Sequence, residues 1–267
     1  MSAVLIEPTK IAAPWTDRRR RARELGTRES YASEVLALYV ALLDAQERAY
    51  HDALMLRPTA EELLSFVSEH ALPGVMEATM ARGTEMLREA SLLAFHEGAI
   101  GRIVRAWLRG EELAAPERFL ARASTSPALE ALPELARATG TPTDARHCPV
   151  CGGAPQLACF ASTGEALVSG ARYLVCARCA TSWQYPRLTC AACGETDTAK
   201  MPVYRSAEIL PHVRVDACET CRSYLITVEV SKEPSAVPLV DEIAALPLDI
   251  DAKERGFTKI APNLMGF

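Results

Sequence analysis

Nine cysteines are the residues of this chain with the clearest chemistry, and all of them lie between positions 148 and 221 of 267 residues. Two residues between cysteines let the backbone turn so that both sulfurs face one ion. Without an apparent export signal, such cysteines favour metal binding or redox chemistry over structural disulfides. Eight of them form Cys-x-x-Cys pairs, namely Cys148 with Cys151, Cys176 with Cys179, Cys190 with Cys193, and Cys218 with Cys221.

The four pairs form an internal repeat. Residues 152–175 separate the first two pairs and residues 194–217 the last two, each a stretch of 24 residues, and the offset between the copies is 42. Gly152 and Gly194 follow the same offset, and a glycine there tolerates the backbone angles that the turn demands. The repeat predicts two metal sites with four sulfur ligands each, the first pair acting with the second and the third with the fourth.

Tetrahedral thiolate sites accept zinc or iron. A closed four-sulfur shell leaves no position for water or substrate, which argues against hydrolytic catalysis. The spacing is equally compatible with a purely structural clamp on a small domain and with a metal that has a working role.

The segments beside the cysteines predict strands. Tyr173–Val175 and Val213–Val215 each lead into a turn, and Tyr224–Val230 is rich in β-formers. We expect two zinc-ribbon or rubredoxin-like modules, residues 147–188 and residues 189–231. The ninth cysteine, Cys159, is predicted to be a small buried side chain of a strand.

The region before the cysteines predicts an all-α domain, residues 1–146, with five or six helices. Leu36, Tyr39, Val40 and Leu43 recur on one helical face. Thr59 and Glu62 form a capping-box pattern. Residues 232–267 predict an amphipathic helix over Val240–Arg255, interrupted by Pro247, and an extended tail at 261–264. The fold class expected is therefore α+β, with Pro73, Gly98, Gly110 and Pro116 separating the N-terminal helices.

Composition predicts a folded, water-soluble chain, since 49% of residues are hydrophobic and 24% charged. The longest apolar run, Val35–Leu43, is too short to span a bilayer. Arg18–Arg21 could suggest an export signal, but no apolar segment follows, so we expect a cytoplasmic protein. The arginine run, Arg18–Arg23, is interpreted as an exposed helix turn.

Several motifs occur together in this chain, namely Cys148-Pro149-Val150-Cys151-Gly152, Arg172–Cys176 with Cys179, Trp183 with Arg187, Cys190 with Cys193, Cys218 with Cys221 and Tyr224-Leu225, and the terminal Arg23-Glu24-Leu25, Gly256-Phe257 and Pro262-Asn263-Leu264. These motifs resemble the formate dehydrogenase accessory protein family FdhE. The resemblance implies a helical domain followed by two rubredoxin-like modules, with iron bound at the eight paired cysteines. It also implies cytoplasmic action on the catalytic subunit of respiratory formate dehydrogenase, so that the chain itself is not an enzyme and takes no small-molecule substrate.

Two other classes of protein share such cysteines. A nucleic-acid-binding zinc ribbon needs a basic surface, but residues 147–227 contain seven Lys or Arg and six Asp or Glu. Eight thiolates with two zinc ions add a charge of minus four, which brings that segment to about minus three. A thiol oxidoreductase normally uses one Cys-x-x-Cys at a helix start rather than four in register.

Overall fold

The computed structural model describes residues 13–160 and 170–267. Helices fill the N-terminal part, six strands follow, and two short helices and a seventh strand close the chain; the seven strands form one sheet. This confirms the α+β fold class. In the described residues no helix has the length and hydropathy that crossing a membrane requires.

The N-terminal part contains eight α-helices within residues 13–146, more than the five or six predicted. The additional ones are short, which explains why periodicity does not reveal them. The helices are α1 (Trp15–Arg28), α2 (Ser33–Leu56), α3 (Leu63–Phe66), α4 (Leu72–Arg82), α5 (Glu85–His96), α6 (Ile100–Arg109), α7 (Ala115–Ala131) and α8 (Pro133–Ala138).

Helix α2 is the centre of this part and packs against α1, α4 and α7. Leu36, Tyr39 and Leu43 of its predicted apolar stripe are buried, while Val40 is half-buried. Because these positions recur at helical spacing, one face of α2 enters the core and the rest stays at the surface.

The start and middle of the next helical segment follow from two local features. Thr59 and Glu62 form the predicted capping box: Thr59 N–H donates to Glu62 Oε2 at 2.9 Å, and Glu62 N–H donates to Thr59 Oγ1 at 3.3 Å. Pro73 was expected to separate helices, but it lies inside the first turn of α4. A π-helical turn, Val67–Ala71, precedes it and accommodates a residue that cannot donate a backbone hydrogen bond.

The arginine run in α1 is exposed at Arg20 and Arg23, as the sequence predicts, but not at Arg18 and Arg21. Arg18 is 4% exposed and pairs with Glu130 of α7. Arg21 is fully buried and its Nη2 lies 2.6 Å from Asp241 Oδ1, near the C-terminus of the chain. The prediction was wrong for these two residues because their carboxylate partners are 112 and 220 positions away in the sequence.

Both cysteine-bearing segments contribute to one sheet. Its order is β3-β2-β1-β6-β5-β4, and the last strand, β7, pairs with β6. All neighbours are antiparallel except β1 with β6 and β6 with β7. The strands are β1 (Pro155–Phe160), β2 (Arg172–Cys176), β3 (Ser182–Gln184), β4 (Val203–Arg205), β5 (Val213–Cys218), β6 (Ser223–Glu229) and β7 (Thr258–Lys259).

The sheet has a buried face and an outer face. On the buried face Leu157, Val215 and Ile226 are inaccessible to solvent and contribute to the main core. On the outer face Ala158, Leu174 and Leu225 form a small separate core. Alternation along each strand sends neighbouring residues to opposite faces, so the sheet separates two environments.

The C-terminal segment covers the buried face of the sheet. It forms α9 (Pro238–Ala244) and α10 (Leu246–Glu254), which confirms a helical segment interrupted near Pro247. The extended tail expected at 261–264 is not found: Asn263 N–H donates to the carbonyl of Phe267, and Asn263 Oδ1 accepts from Met265 N–H at 2.9 Å. The side-chain amide of Asn263 thus folds the tail back into a turn.

Candidate metal centres

The eight paired cysteines come together in two groups, four and four. Within each group the Sγ atoms all lie within 4.8 Å of one another. The first cysteine group is Cys148, Cys151, Cys176 and Cys179, and the second cysteine group is Cys190, Cys193, Cys218 and Cys221. These are the groupings that the repeat predicts.

The first turn of each group uses the same hydrogen bonds. In the first group, Gly152 N–H donates to the carbonyl of Cys148 at 2.9 Å and Cys148 N–H to the carbonyl of Gly153 at 2.9 Å. Val150 N–H points at Cys148 Sγ over 3.4 Å. The φ of Gly152 is +67°, as the predicted turn requires.

In the second group, Gly194 N–H donates to the carbonyl of Cys190 and Ala192 N–H approaches Cys190 Sγ at 3.4 Å. The φ of Gly194 is +80°. The duplication detected in the sequence is therefore present in the hydrogen-bond pattern of the backbone.

The second turn of each group has a feature that sequence analysis missed. Ala180 and Arg222 directly follow Cys179 and Cys221, and both adopt a left-handed backbone with φ of +54° and +57°. They are equivalent under the 42-residue offset. Neither residue is a glycine, so the sequence does not predict the left-handed backbone at these two positions. That conformation costs about 1 kcal/mol or more per residue.

The sulfur positions fit a tetrahedral ion. A Zn–S bond of about 2.3 Å implies S···S edges of about 3.8 Å in a regular tetrahedron. In the first group Cys148 and Cys179 are 3.7 Å apart, and Cys151 lies 3.4 Å from both Cys176 and Cys179. In the second group the Sγ atoms of Cys190 and Cys221 lie 3.8 Å apart, and so do those of Cys193 and Cys218.

Four close thiols without a cation cannot all be thiolates. Hydrogen bonds from Cys151, Cys176 and Cys179 lower the pKa of Cys148, whereas burial raises the pKa of Cys176 well above its usual range. A divalent cation removes this conflict because it stabilises all four thiolates together.

The two groups differ in exposure. Every cysteine of the first group is at most 3% exposed, whereas Cys193 is exposed and Cys221 partly so. The helical part covers the first group closely: a Cβ on Gly140 would lie 2.2 Å from the carbonyl oxygen of Cys151. The second group is open to solvent on one side.

Two residues near the cysteines belong to neither group. Cys159 is inaccessible to solvent in β1, as predicted, and burial raises its pKa to about 12. His147 Nδ1 lies 3.0 Å from Asp144 Oδ1, which places it in a surface cluster rather than at a sulfur site.

Gly153 is a further residue whose role the sequence does not reveal. A Cβ at this position would lie 2.9 Å from Cys176 Sγ, closer than real contacts allow. Its lack of a side chain therefore leaves room for a cysteine of the first group.

The fold and sites define a class of protein: a helical domain joined to a tandem pair of four-cysteine, zinc-ribbon-like modules. Residues 147–187 match the family model described as FdhE, central domain, and residues 188–265 match FdhE, C-terminal domain. Residues 147–265 are thus similar to the two cysteine-bearing domains of the FdhE family.

Named relatives show the same similarity. A protein named FdhE homolog from Aquifex aeolicus is 36% identical over 121 residues, which are 45% of this chain and 42% of that protein. One from Haemophilus influenzae (strain PittGG) is 36% identical over 117 residues, 44% of this chain and 37% of that protein. The matched region thus spans about two fifths of the length of these relatives.

A solved structure shows that the fold extends beyond the matched region. The crystal structure of the FdhE protein from Pseudomonas aeruginosa superposes with a TM-score of 0.66 at 24% identity, over 94% of this chain and 95% of that one. The similarity covers the helical part as well as the cysteine modules, and at this identity it concerns the fold alone.

Proposed function

We propose that this protein is an accessory factor for formate dehydrogenase, which binds the catalytic subunit of that enzyme in the cytoplasm and is required for its activity. The observation that carries the proposal is the pair of four-sulfur groups within a region that matches the FdhE central and C-terminal domains. In this proposal the chain has no catalytic residues, and the partner carries out the reaction.

The eight grouped cysteines are the proposed metal ligands, with iron as the favoured metal and zinc as the alternative. Four thiolates around one ion supply either structural rigidity or, with iron, a one-electron centre without an open coordination position. The chain supports this with backbone N–H groups directed at Cys148, Cys176 and Cys190, at 3.3 to 3.4 Å from their sulfurs.

Metal analysis of anaerobically purified protein tests the ligand assignment. We expect close to two ions per chain, with a red colour if the metal is iron. Cys176→Ser should lose one ion and Cys218→Ser the other, whereas Cys159→Ser should keep both because that sulfur lies in neither group. Loss of both ions from either single substitution would contradict the two independent sites.

Exposure predicts an order of metal loss. A chelator should remove the ion of the second group first, since Cys193 is exposed and the first group is buried. Cys218→Ser protein, which retains only the first site, should therefore release its ion more slowly than Cys176→Ser protein. Equal rates would contradict the proposed protection by the helical part.

Co-purification tests the partner. A tagged chain should retain a formate dehydrogenase catalytic subunit, and formate dehydrogenase activity should fall in cells without this protein. Cys159→Ser serves as the matched control for the grouped cysteines in both assays. Full formate dehydrogenase activity in the deletion strain would refute the proposed function even if the metal sites are present.

A further inference from the structure

Two cavities adjoin on the surface of the helical part. The smaller, of about 420 Å³, lies between α1, α2 and the end of α4, and the larger, of about 680 Å³, lies between α2, α7 and the turn from α4 to α5. Ala37 and Arg82 line both cavities, so the two are continuous. Together they are named the helical groove, whose lining includes Arg23, Ala37, Arg82, Met86 and Phe119.

The larger cavity is mainly apolar. Leu38 and Phe119 are the buried members of its lining, whereas Tyr31 and Met86 line it with side chains that are 40% and 76% exposed. Exposed apolar side chains around a recess mark a surface that a partner can cover favourably. The flexible side chain of Met86 also adapts to the shape of what it contacts.

The smaller cavity carries only positive charge. Arg23 and Arg82 are the charged residues that line it, and both are exposed. Within the part of the chain that the structure describes, neither arginine has an ion-pair partner. Glu24, the next residue on α1, is paired with Arg21 at 2.8 Å. Glu34 lines only the larger cavity, where it offsets the charge of Arg82, so the groove is positive at one end and nearly neutral at the other.

The walls of the helical groove determine what kind of segment fits it. They consist largely of helices, whose backbone groups already form internal hydrogen bonds. A segment that docks there must therefore satisfy its own backbone groups, which a helix does and an extended strand does not. Such recognition uses apolar side chains three or four residues apart on one helical face. The occupant that fits is an amphipathic helix.

We propose that the helical groove binds an amphipathic helix of the formate dehydrogenase catalytic subunit. Its apolar side chains lie in the larger cavity, and its Asp or Glu side chains lie beside Arg23 and Arg82, because guanidinium groups match the geometry of a carboxylate. The identity of the partner rests on the proposed function. The chain has a formal net charge of -5, so an acidic segment is not attracted to it in general and depends on these two arginines.

Photo-crosslinking tests the position of the contact. The photoreactive residue p-benzoylphenylalanine replaces Met86 in the tagged full-length chain, in cells that contain the formate dehydrogenase catalytic subunit. We expect a cross-link to that subunit, which mass spectrometry should place in a helix with Asp or Glu on its flank. Met55 is the matched control position: it is 74% exposed, close to the value for Met86, and lies at the end of α2 outside both cavities, so it should give no cross-link.

Binding kinetics with the purified catalytic subunit test the charges. The double variant Arg23→Gln, Arg82→Gln should associate about tenfold more slowly, because two solvent-exposed charges are lost at the edge of the contact. Added salt should slow the wild type more than this variant. Arg105→Gln is the matched control, since Arg105 is exposed on α6, has no ion-pair partner among the described residues and lines neither cavity. Met86→Asp should raise the dissociation rate about tenfold, since it replaces an apolar contact by a charge.

Several results would overturn this inference and leave the proposed function in place, provided that the wild-type chain retains the catalytic subunit. These are equal cross-linking from positions 86 and 55, a cross-link from position 86 to a second copy of this chain, and equal association rates for the double variant and Arg105→Gln. Failure of the wild-type chain to retain the subunit would overturn both proposals. Circular dichroism of the variants verifies their fold.

Discussion

The buried ion pair between Arg21 and Asp241 gives the sharpest prediction about stability. Both side chains are 0% exposed. Asp241 accepts from Arg21 Nη2 at 2.6 Å, from His212 Nε2 at 2.7 Å when that nitrogen carries a proton, and from the backbone N–H of Val237 at 2.7 Å. Two distant segments of the chain and the first turn of the carboxylate's own helix therefore depend on Asp241.

Asp241→Asn keeps the size of the side chain but removes its charge. Arg21 would retain a hydrogen bond to Ser235 Oγ, and its remaining carboxylate partner, Glu24, is 41% exposed and therefore weak. Leaving one member of a buried pair without its partner costs about 3 to 5 kcal/mol. We expect a loss of unfolding free energy in that range, measured by urea denaturation followed by circular dichroism.

A double-mutant cycle with Arg21→Met isolates the pair. The double variant should lose about 2 to 3 kcal/mol less unfolding free energy than the sum of the two single variants. The reason is that the second substitution removes a charge that the first has already left unpaired. Arg20→Met is the matched control, since Arg20 is 55% exposed and its contacts to Asp17 and Glu24 are 3.5 and 4.0 Å. A cost below about 1 kcal/mol for Asp241→Asn, or full additivity, would refute the reasoning.

The same carboxylate predicts a pH dependence. Burial by itself raises the pKa of Asp241, but the hydrogen bonds and charges of His212 and Arg21 prevail, so the pKa is lowered. A lowered pKa in the folded protein gives stability that is complete above the unfolded value of about 3.9 and is lost as pH falls through the folded value. The Asp241→Asn variant should therefore lose less stability than wild type on acidification below about pH 4.

Three further predictions concern the cysteine modules. Gly152→Ala should cost at least about 2 kcal/mol more unfolding free energy than Gly194→Ala. Both glycines have positive φ, but only at Gly152 would a Cβ meet a backbone atom, the carbonyl oxygen of Thr141 at 2.3 Å. Equal costs in chemical denaturation would contradict this. Ala180→Gly should stabilise the protein by about 0.5 to 1 kcal/mol, since glycine relieves the left-handed strain, and a lower melting temperature would count against it. Cys159 should resist iodoacetamide at pH 8 in the native protein and react on unfolding, because burial raises its pKa to about 12; mass spectrometric detection of native labelling would disprove the buried thiol.

Local sequence signals determined much of the candidate sites. The spacing within each Cys-x-x-Cys pair brings its two sulfurs together, and the first turn of each group is completed within a few residues by its own backbone hydrogen bonds. The 42-residue repeat predicts which pairs share an ion. Gly152 and Gly194 mark the turns for the same reason. The helical periodicity around Leu36 and the capping box at Thr59 are equally local, and the structure contains both.

Only the tertiary structure decided how these parts are joined. The parallel pairing of β1 with β6 brings the two modules into one sheet, and it places Leu157 beside Ile226, 69 positions further along the chain. Such a contact leaves no periodic signal in the sequence. The same holds for Arg21 with Asp241: an arginine in an amphipathic helix is predicted to be exposed unless its carboxylate partner is known, and here that partner is 220 residues away. The candidate metal sites can therefore be predicted from the sequence, because their turns depend on local hydrogen bonds. The outer face of the sheet and the contacts between the helical part and the sheet depend on long-range burial and charge pairing, which only the folded structure shows.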